Sequence, residues 1–183
     1  MRITSGEFRG RAISVPPGED VRPTQDRVRE ALFSMLGECV HGEAFLDLFA
    51  GSGAVGIEAI SRGASRAVFV ERDPRAFACL SSNIERAGAA ARCETHRADV
   101  LSWLAAPARV QFGVAFADPP YALGAEGVYA DILRLLADGD YVPPGAIFVA
   151  EMTSHRECDA SEAWELLRDR VYGQTRLAVY RRK

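Results

Sequence analysis

Apolar residues recur along this chain with two periods, and the points where the period changes mark its elements. Val28, Ala31, Leu32, Met35 and Leu36 fall on one side of a 3.6-residue turn. That predicts an amphipathic helix starting at Pro23-Thr24, with Thr24 as its cap, and ending at Gly37. Continuous apolar runs of four to six residues follow at 44–49, 66–71, 112–117 and 146–151, with a weaker run at 92–96. Between them lie helical patterns at 55–62, 73–88, 101–105 and 128–137, the second opened by Asp73-Pro74. Upstream, β-compatible runs at 2–4 and 12–15 around Gly6 and Gly10 predict a small hairpin. Downstream, 163–172 and 175–181 flank Gly173-Gln174 and predict a second, terminal one.

Strand and helix alternate, and the strands are apolar on both sides, so the pattern predicts an α/β fold with a mostly parallel sheet covered on both faces. At 183 residues the chain is read as one domain, with a hairpin extension over 1–22 and a catalytic core over 23–183. No apolar run is long enough to cross a bilayer and the start has no signal-peptide character, so a cytoplasmic protein without membrane association is expected. Cys39, Cys79, Cys93 and Cys158 form no Cys-x-x-Cys pair, and His41, His96 and His155 are dispersed. Buried free thiols and no metal site are therefore expected. The net charge of −3 conceals an uneven distribution, with Arg2, Arg9 and Arg11 near the start and six basic residues between Arg168 and Lys183. A basic patch built from both termini would suit an anionic polymer, although a solubilising surface explains the terminal cluster as well.

Candidate chemistry sits where strands give way to loops. Asp47-Leu-Phe-Ala-Gly51-Ser-Gly53-Ala-Val-Gly56 joins the first strand to its helix, and Glu71 ends the next strand twenty residues after Gly51. Glycines let a ligand approach the backbone, and Glu71 suits ribose hydroxyls. The same glycines match a dinucleotide fingerprint, which admits an NAD-dependent oxidoreductase, but Asp47 would repel a pyrophosphate. Asp47 instead favours a ligand carrying an ammonium, such as S-adenosylmethionine. Asp99 either accepts from an adenine amino group or caps the helix that follows. The fourth apolar run ends in Asp118-Pro119-Pro120-Tyr121. Asp118 and the Pro119 carbonyl can accept both hydrogens of an exocyclic amine, while Tyr121 lies against the base. A strand-to-loop turn is the plain alternative for these four residues.

Asp47 with Gly51-Ser-Gly53, then Glu71, Asp99 and Asp118-Pro-Pro-Tyr121, resemble class I S-adenosylmethionine-dependent methyltransferases that modify nucleobase amines. Gly10-Arg11, Arg22-Pro23-Thr24 and the stretch from Asp26 to Phe33, with Tyr172-Gly173-Gln174-Thr175-Arg176, narrow the resemblance. They are similar to the bacterial 16S rRNA (guanine(966)-N(2))-methyltransferase family. That resemblance implies a Rossmann-like, seven-stranded sheet with an antiparallel last strand. It also implies S-adenosylmethionine across Asp47, Gly51, Gly53, Glu71 and Asp99, with Thr24 near its methionine end. A guanine flipped into Asp118–Tyr121 and a 16S rRNA or small-subunit substrate follow, for a protein expected to be monomeric. Methylation of adenine N6 or cytosine N4, or a non-catalytic assembly factor, are the alternatives.

Overall fold

The computed structural model describes residues 1–16, 23–120, 127–159 and 161–183. Seven strands form one sheet: β1 (Ala44–Leu48), β2 (Arg66–Val70), β3 (Cys93–His96), β4 (Val114–Ala117), β5 (Ile147–Thr153), β6 (Trp164–Tyr172) and β7 (Thr175–Arg182). They lie in the order β3-β2-β1-β4-β5-β7-β6. The first five run parallel to one another, and β7 inserts antiparallel between β5 and β6. Helices α1 (Pro23–Leu36), α2 (Ala54–Ser61), α3 (Pro74–Arg86), α4 (Val100–Leu104) and α5 (Val128–Asp138) complete the fold.

Alternation along the inner strands divides the core in two. Phe45, Ala67, Phe69, Val114, Phe116, Ile147 and Val149 join one cluster with residues of α1, α2 and α3. Leu46, Leu48, Val68, Val70, Ala115, Ala117, Phe148 and Ala150 join the other with residues of α4 and α5. Burial on both faces explains why these strands read as unbroken apolar runs. Of the edge strands, β6 is largely exposed and β3 is half-buried, which explains the weaker pattern of β3.

Three local expectations change. Helix α1 already includes Pro23, so Thr24 lies within its first turn rather than at the cap. Nor does the upstream segment form a laddered hairpin. Arg2 and Ala12 make a single antiparallel bridge, supported by Ile3 N donating to the Arg11 carbonyl and Ile13 N to that of Met1. And the thiols are not buried: Cys39 is exposed and the other three are partly exposed.

What holds residues 1–16 in place is their attachment to α2 and α3. Gly6 sits at φ +82 so close to α2 that a Cβ would lie 1.7 Å from the Ser61 carbonyl oxygen. This close approach lets Glu7 N donate to that oxygen at 2.8 Å and Phe8 N to Ser61 Oγ at 2.9 Å. Beside it, Glu58 of α2 is fully buried and accepts from Thr4 N at 3.1 Å, Arg29 Nε at 2.9 Å and Arg62 Nη2 at 2.8 Å, and also from Thr4 Oγ1. Burial alone would raise the Glu58 carboxyl. The hydrogen bonds from Thr4 and Arg62 and the Arg29 charge outweigh it and leave the group below the ordinary glutamate range. Arg29 in turn donates to the Arg2 carbonyl at 2.7 Å, linking α1, α2 and the upstream segment.

Candidate active site

Side chains two residues apart on a strand share a face. Asp47 follows Phe45 at that spacing, Glu71 follows Phe69, Asp118 follows Phe116 and Glu151 follows Val149, so all four carboxylates belong to the face packed on α1–α3. Ala117 pairs with Ala150, and Leu48 pairs with both Val70 and Ala117. Continuing that register by one residue sets Glu71 and Asp118, just past β2 and β4, level with Glu151 inside β5, with Asp47 two residues lower. Four acids far apart in sequence thereby converge at the carboxyl ends of β2, β1, β4 and β5, where parallel sheets bind ligands.

Asp47 is buried, and its Oδ2 accepts from Gly56 N of α2 at 2.8 Å. Its carboxyl is raised well above the ordinary range, first by burial and then by the charges of Asp118 and Glu71, against the opposing Gly56 hydrogen bond. Glu71 accepts from Gly51 N at 2.8 Å and from Asp73 N at 2.7 Å, one bond to each oxygen. It thus fastens the glycine loop to the start of α3, and each oxygen keeps a further lone-pair direction. The two glycines differ in purpose. At Gly51, φ +53, an added Cβ would meet nothing nearer than the Phe49 carbonyl at 4.0 Å, so the backbone faces open space. At Gly53, φ +77, it would come within 2.3 Å of Leu80 Cδ1, so that glycine serves the packing of the loop on α3.

Beneath this rim lies a cavity of about 150 Å³ whose lining includes Asp47, Gly51, Asp118 and Glu151 together with Arg29 and Met1. Asp118 is exposed at the cavity, Pro119 is buried and Pro120 exposed. Tyr121 lies outside the described residues, as does the side chain of Thr24. Asp99 is not among the lining residues. Its Oδ1 accepts from Ser102 N at 3.0 Å as the cap of α4, and its Oδ2 stands 3.9 Å from Arg72.

Two lining residues, Glu151 and Arg29, are absent from the residues singled out in the sequence. Glu151 ends an apolar run just as Glu71 does, so the same signal was present. Burial and the Asp118 charge raise its carboxyl well above the ordinary range. Arg29 lies in the stretch from Asp26 to Phe33 that carries the resemblance, but no role was read for it, because only the tertiary arrangement brings α1 over the cavity.

A larger cavity, about 350 Å³, lies along β3 and α4 and is lined by Trp103, Arg109, Phe112 and Tyr141 among others. It borders the segments that lead into β4 and β5 and reaches His96 at the end of β3, and none of the four carboxylates lines it. Among the described residues no group of three His, Cys, Asp or Glu side chains could hold a metal ion, and no helix is long and apolar enough to cross a membrane. Several basic side chains near the termini already have partners: Arg176 with Asp169, Arg181 with Glu165, and Arg168 with the Met35 carbonyl.

A hydrophobic, mostly parallel sheet with β7 antiparallel, a glycine loop after β1 and acids at the strand ends is the fold of the class I S-adenosylmethionine-dependent methyltransferases. The residues fit that cofactor: the open face of Gly51 is a cradle that a Cβ would fill, and the buried Asp47 suits a cation.

Comparison with known proteins agrees. The chain is 33% identical to ribosomal RNA small subunit methyltransferase D of Escherichia coli K12, over 100% of this chain and 90% of that one. It is 32% identical to the protein of the same name from Haemophilus influenzae, over 98% and 93%. A solved Escherichia coli structure, named as a presumed methyltransferase, superposes with a TM-score of 0.88 at 33% identity, covering 100% of this chain and 98% of that one. The family described as conserved hypothetical protein 95 matches residues 1–181, and the chain belongs to that family, alongside its small-subunit rRNA methyltransferase relatives.

Proposed function

We propose that this protein methylates ribosomal RNA of the small subunit, transferring a methyl group from S-adenosylmethionine to the exocyclic N2 amine of a guanine. The observation that carries the reading is one cavity bounded by a buried Asp47, the open backbone of Gly51 and the exposed carboxylate of Asp118. When bound, the cofactor supplies an electrophilic methyl group on a sulfonium. In this reading Asp47 takes its ammonium, Gly51 admits its close approach, and Glu71 has lone pairs left for ribose hydroxyls. Asp99, beyond the third strand, is left for the adenine end.

The amine of a nucleobase is a poor nucleophile because its lone pair is delocalised into the ring. Asp118 and the Pro119 carbonyl accept its two hydrogens, which favours a pyramidal nitrogen with its lone pair directed at the methyl carbon. As the nitrogen gains positive charge the Asp118 carboxylate stabilises it, and Asp118 then takes the surplus proton. Tyr121 offers its ring to the extruded base, offsetting part of the cost of unstacking, which is a few kcal/mol.

The test is transfer of tritiated methyl to small subunits lacking the modification and, in parallel, to naked 16S rRNA. Nucleoside mass spectrometry then identifies the product. Methylated guanine at N2 is the expected result; methylated adenine or cytosine, or no transfer, refutes the reading. Asp118→Ala should lower turnover by about 100-fold or more while leaving the affinity for S-adenosylhomocysteine close to that of the wild type. Wild-type turnover by this variant would remove Asp118 from the chemistry.

A further inference from the structure

Glu151 lines the same cavity as Asp118 and Asp47, on the strand next to Asp118. The pairing of Ala117 with Ala150 puts the two carboxylates side by side, and the alternation of β5 turns Glu151 to the same face. Its backbone is held from two sides. Tyr129 Oη of α5 donates to the Glu151 carbonyl, and the residue pairs with Leu177 of β7. The side chain has no task in fastening the glycine loop, in contrast to Asp47 and Glu71.

A carboxyl at this position matters because of what flanks a nucleobase amine. In guanine the ring atom beside the N2 amine is N1–H, a donor, and O6 lies beyond it as an acceptor. In adenine and cytosine the ring nitrogen beside the amine is itself an acceptor. We propose that Glu151 sets the base preference of this site by accepting the N1–H of guanine while Asp118 holds the adjacent amine. This rests on the function proposed above and deepens it.

Both protonation states of Glu151 give the same preference. Ionised, it accepts N1–H from guanine but faces a lone pair in adenine or cytosine. Protonated, its carbonyl oxygen accepts N1–H and its hydroxyl donates to O6, two bonds where the other bases offer one. The preference therefore survives the burial and the neighbouring Asp118 charge that favour the protonated form.

The test uses 2-aminopurine, which keeps the exocyclic amine but presents the neighbouring ring nitrogen as an acceptor and lacks O6. RNA hairpins carrying guanine or 2-aminopurine at the target are compared for kcat/KM and, with S-adenosylhomocysteine present, for affinity by anisotropy. The wild type should favour guanine by about 10- to 100-fold, the worth of a hydrogen bond to a charged or buried group. Glu151→Ala should bring both ratios close to one by losing guanine activity and binding, with unchanged affinity for S-adenosylhomocysteine. Glu151→Gln, which keeps an acceptor and a donor, should retain most of the preference. If Glu151→Ala does not fold, Glu151→Met keeps the volume without the carboxyl and carries the same test. A variant lacking the carboxyl that keeps the wild-type ratio overturns this assignment and leaves the proposed function standing. A wild type that methylates neither hairpin nor small subunits overturns both.

Discussion

Replacing Glu58 by Leu should detach the upstream segment from the core at a cost that can be worked out bond by bond. Glu58 is fully buried and Arg29 nearly so, at 0% and 4% side-chain exposure. Removing one partner of such a pair costs about 3–5 kcal/mol, because the other charge stays behind in a dry environment. Here Arg29 would keep the Arg2 carbonyl at 2.7 Å and Asp26 Oδ1 at 3.0 Å. Arg62 is partly exposed and can turn to water. These residual partners place the loss near the lower limit, about 3 kcal/mol, with Thr4 N and Oγ1 losing their acceptor as well.

With a urea m-value of about 2.5 kcal/mol/M for a chain of this size, the midpoint should fall by about 1.2 M. Glu58→Gln, which keeps the shape but sets an amide where a charge was, should cost about 2 kcal/mol. Hydrogen exchange should show lost protection at Thr4, Glu7 and Phe8. The pH dependence has a definite sign. Glu58 titrates lower in the folded chain than in the unfolded one, so its stabilisation is complete above the ordinary glutamate range. It disappears as pH falls through the lowered folded value. The gap between wild type and Glu58→Leu should therefore narrow in acid. A midpoint shift below about 0.4 M, or a gap that does not change with acid, would refute the account of a buried, compensated charge.

Asp47 has the opposite sign. The folded chain holds its proton more tightly than the unfolded chain, so stability declines as pH rises from the ordinary aspartate value through the raised one. Asp47→Asn keeps an acceptor for Gly56 N and should raise Tm at pH 8 by scanning fluorimetry, while weakening S-adenosylhomocysteine binding by about tenfold in calorimetry. Lower Tm with unchanged affinity would contradict this.

The two loop glycines should separate stability from binding. Gly53→Ala meets the fully buried Leu80 and should cost about 2–4 kcal/mol in urea. Gly51→Ala should cost about 1–2 kcal/mol of stability yet lower cofactor affinity. In an iodoacetamide time course at pH 8 with peptide mapping, Cys39, the exposed thiol, should react first. Cys93, pushed up to about 11 by burial, should lag far behind.

Local chemistry made much of this molecule legible in advance. The Asp73-Pro74 start is a real cap, with Asp73 Oδ1 accepting from Arg75 N and Ala76 N at 2.9 Å, and β2, β6 and β7 each end within a residue of the expected limits. For Asp99 the sequence left two readings open, an adenine contact or a helix cap, and the structure shows the cap. The bonds of Glu71 to Gly51 and Asp73 were not, since backbone partners leave no mark on residue type.

Amino-acid order by itself determined the elements, because side-chain periodicity and the turn preferences of Gly, Pro and Asp act over a few residues. It also put Asp47, Glu71, Asp118 and Glu151 within or just after apolar strand runs. Only the tertiary structure decided that these four share one face at one end of the sheet. Strand order and register set which strand ends become neighbours, and burial among like charges then raises Asp47 and Glu151. The same holds for Arg29 and Glu58, whose pairing exists only because α1 and α2 pack on the same side of the sheet.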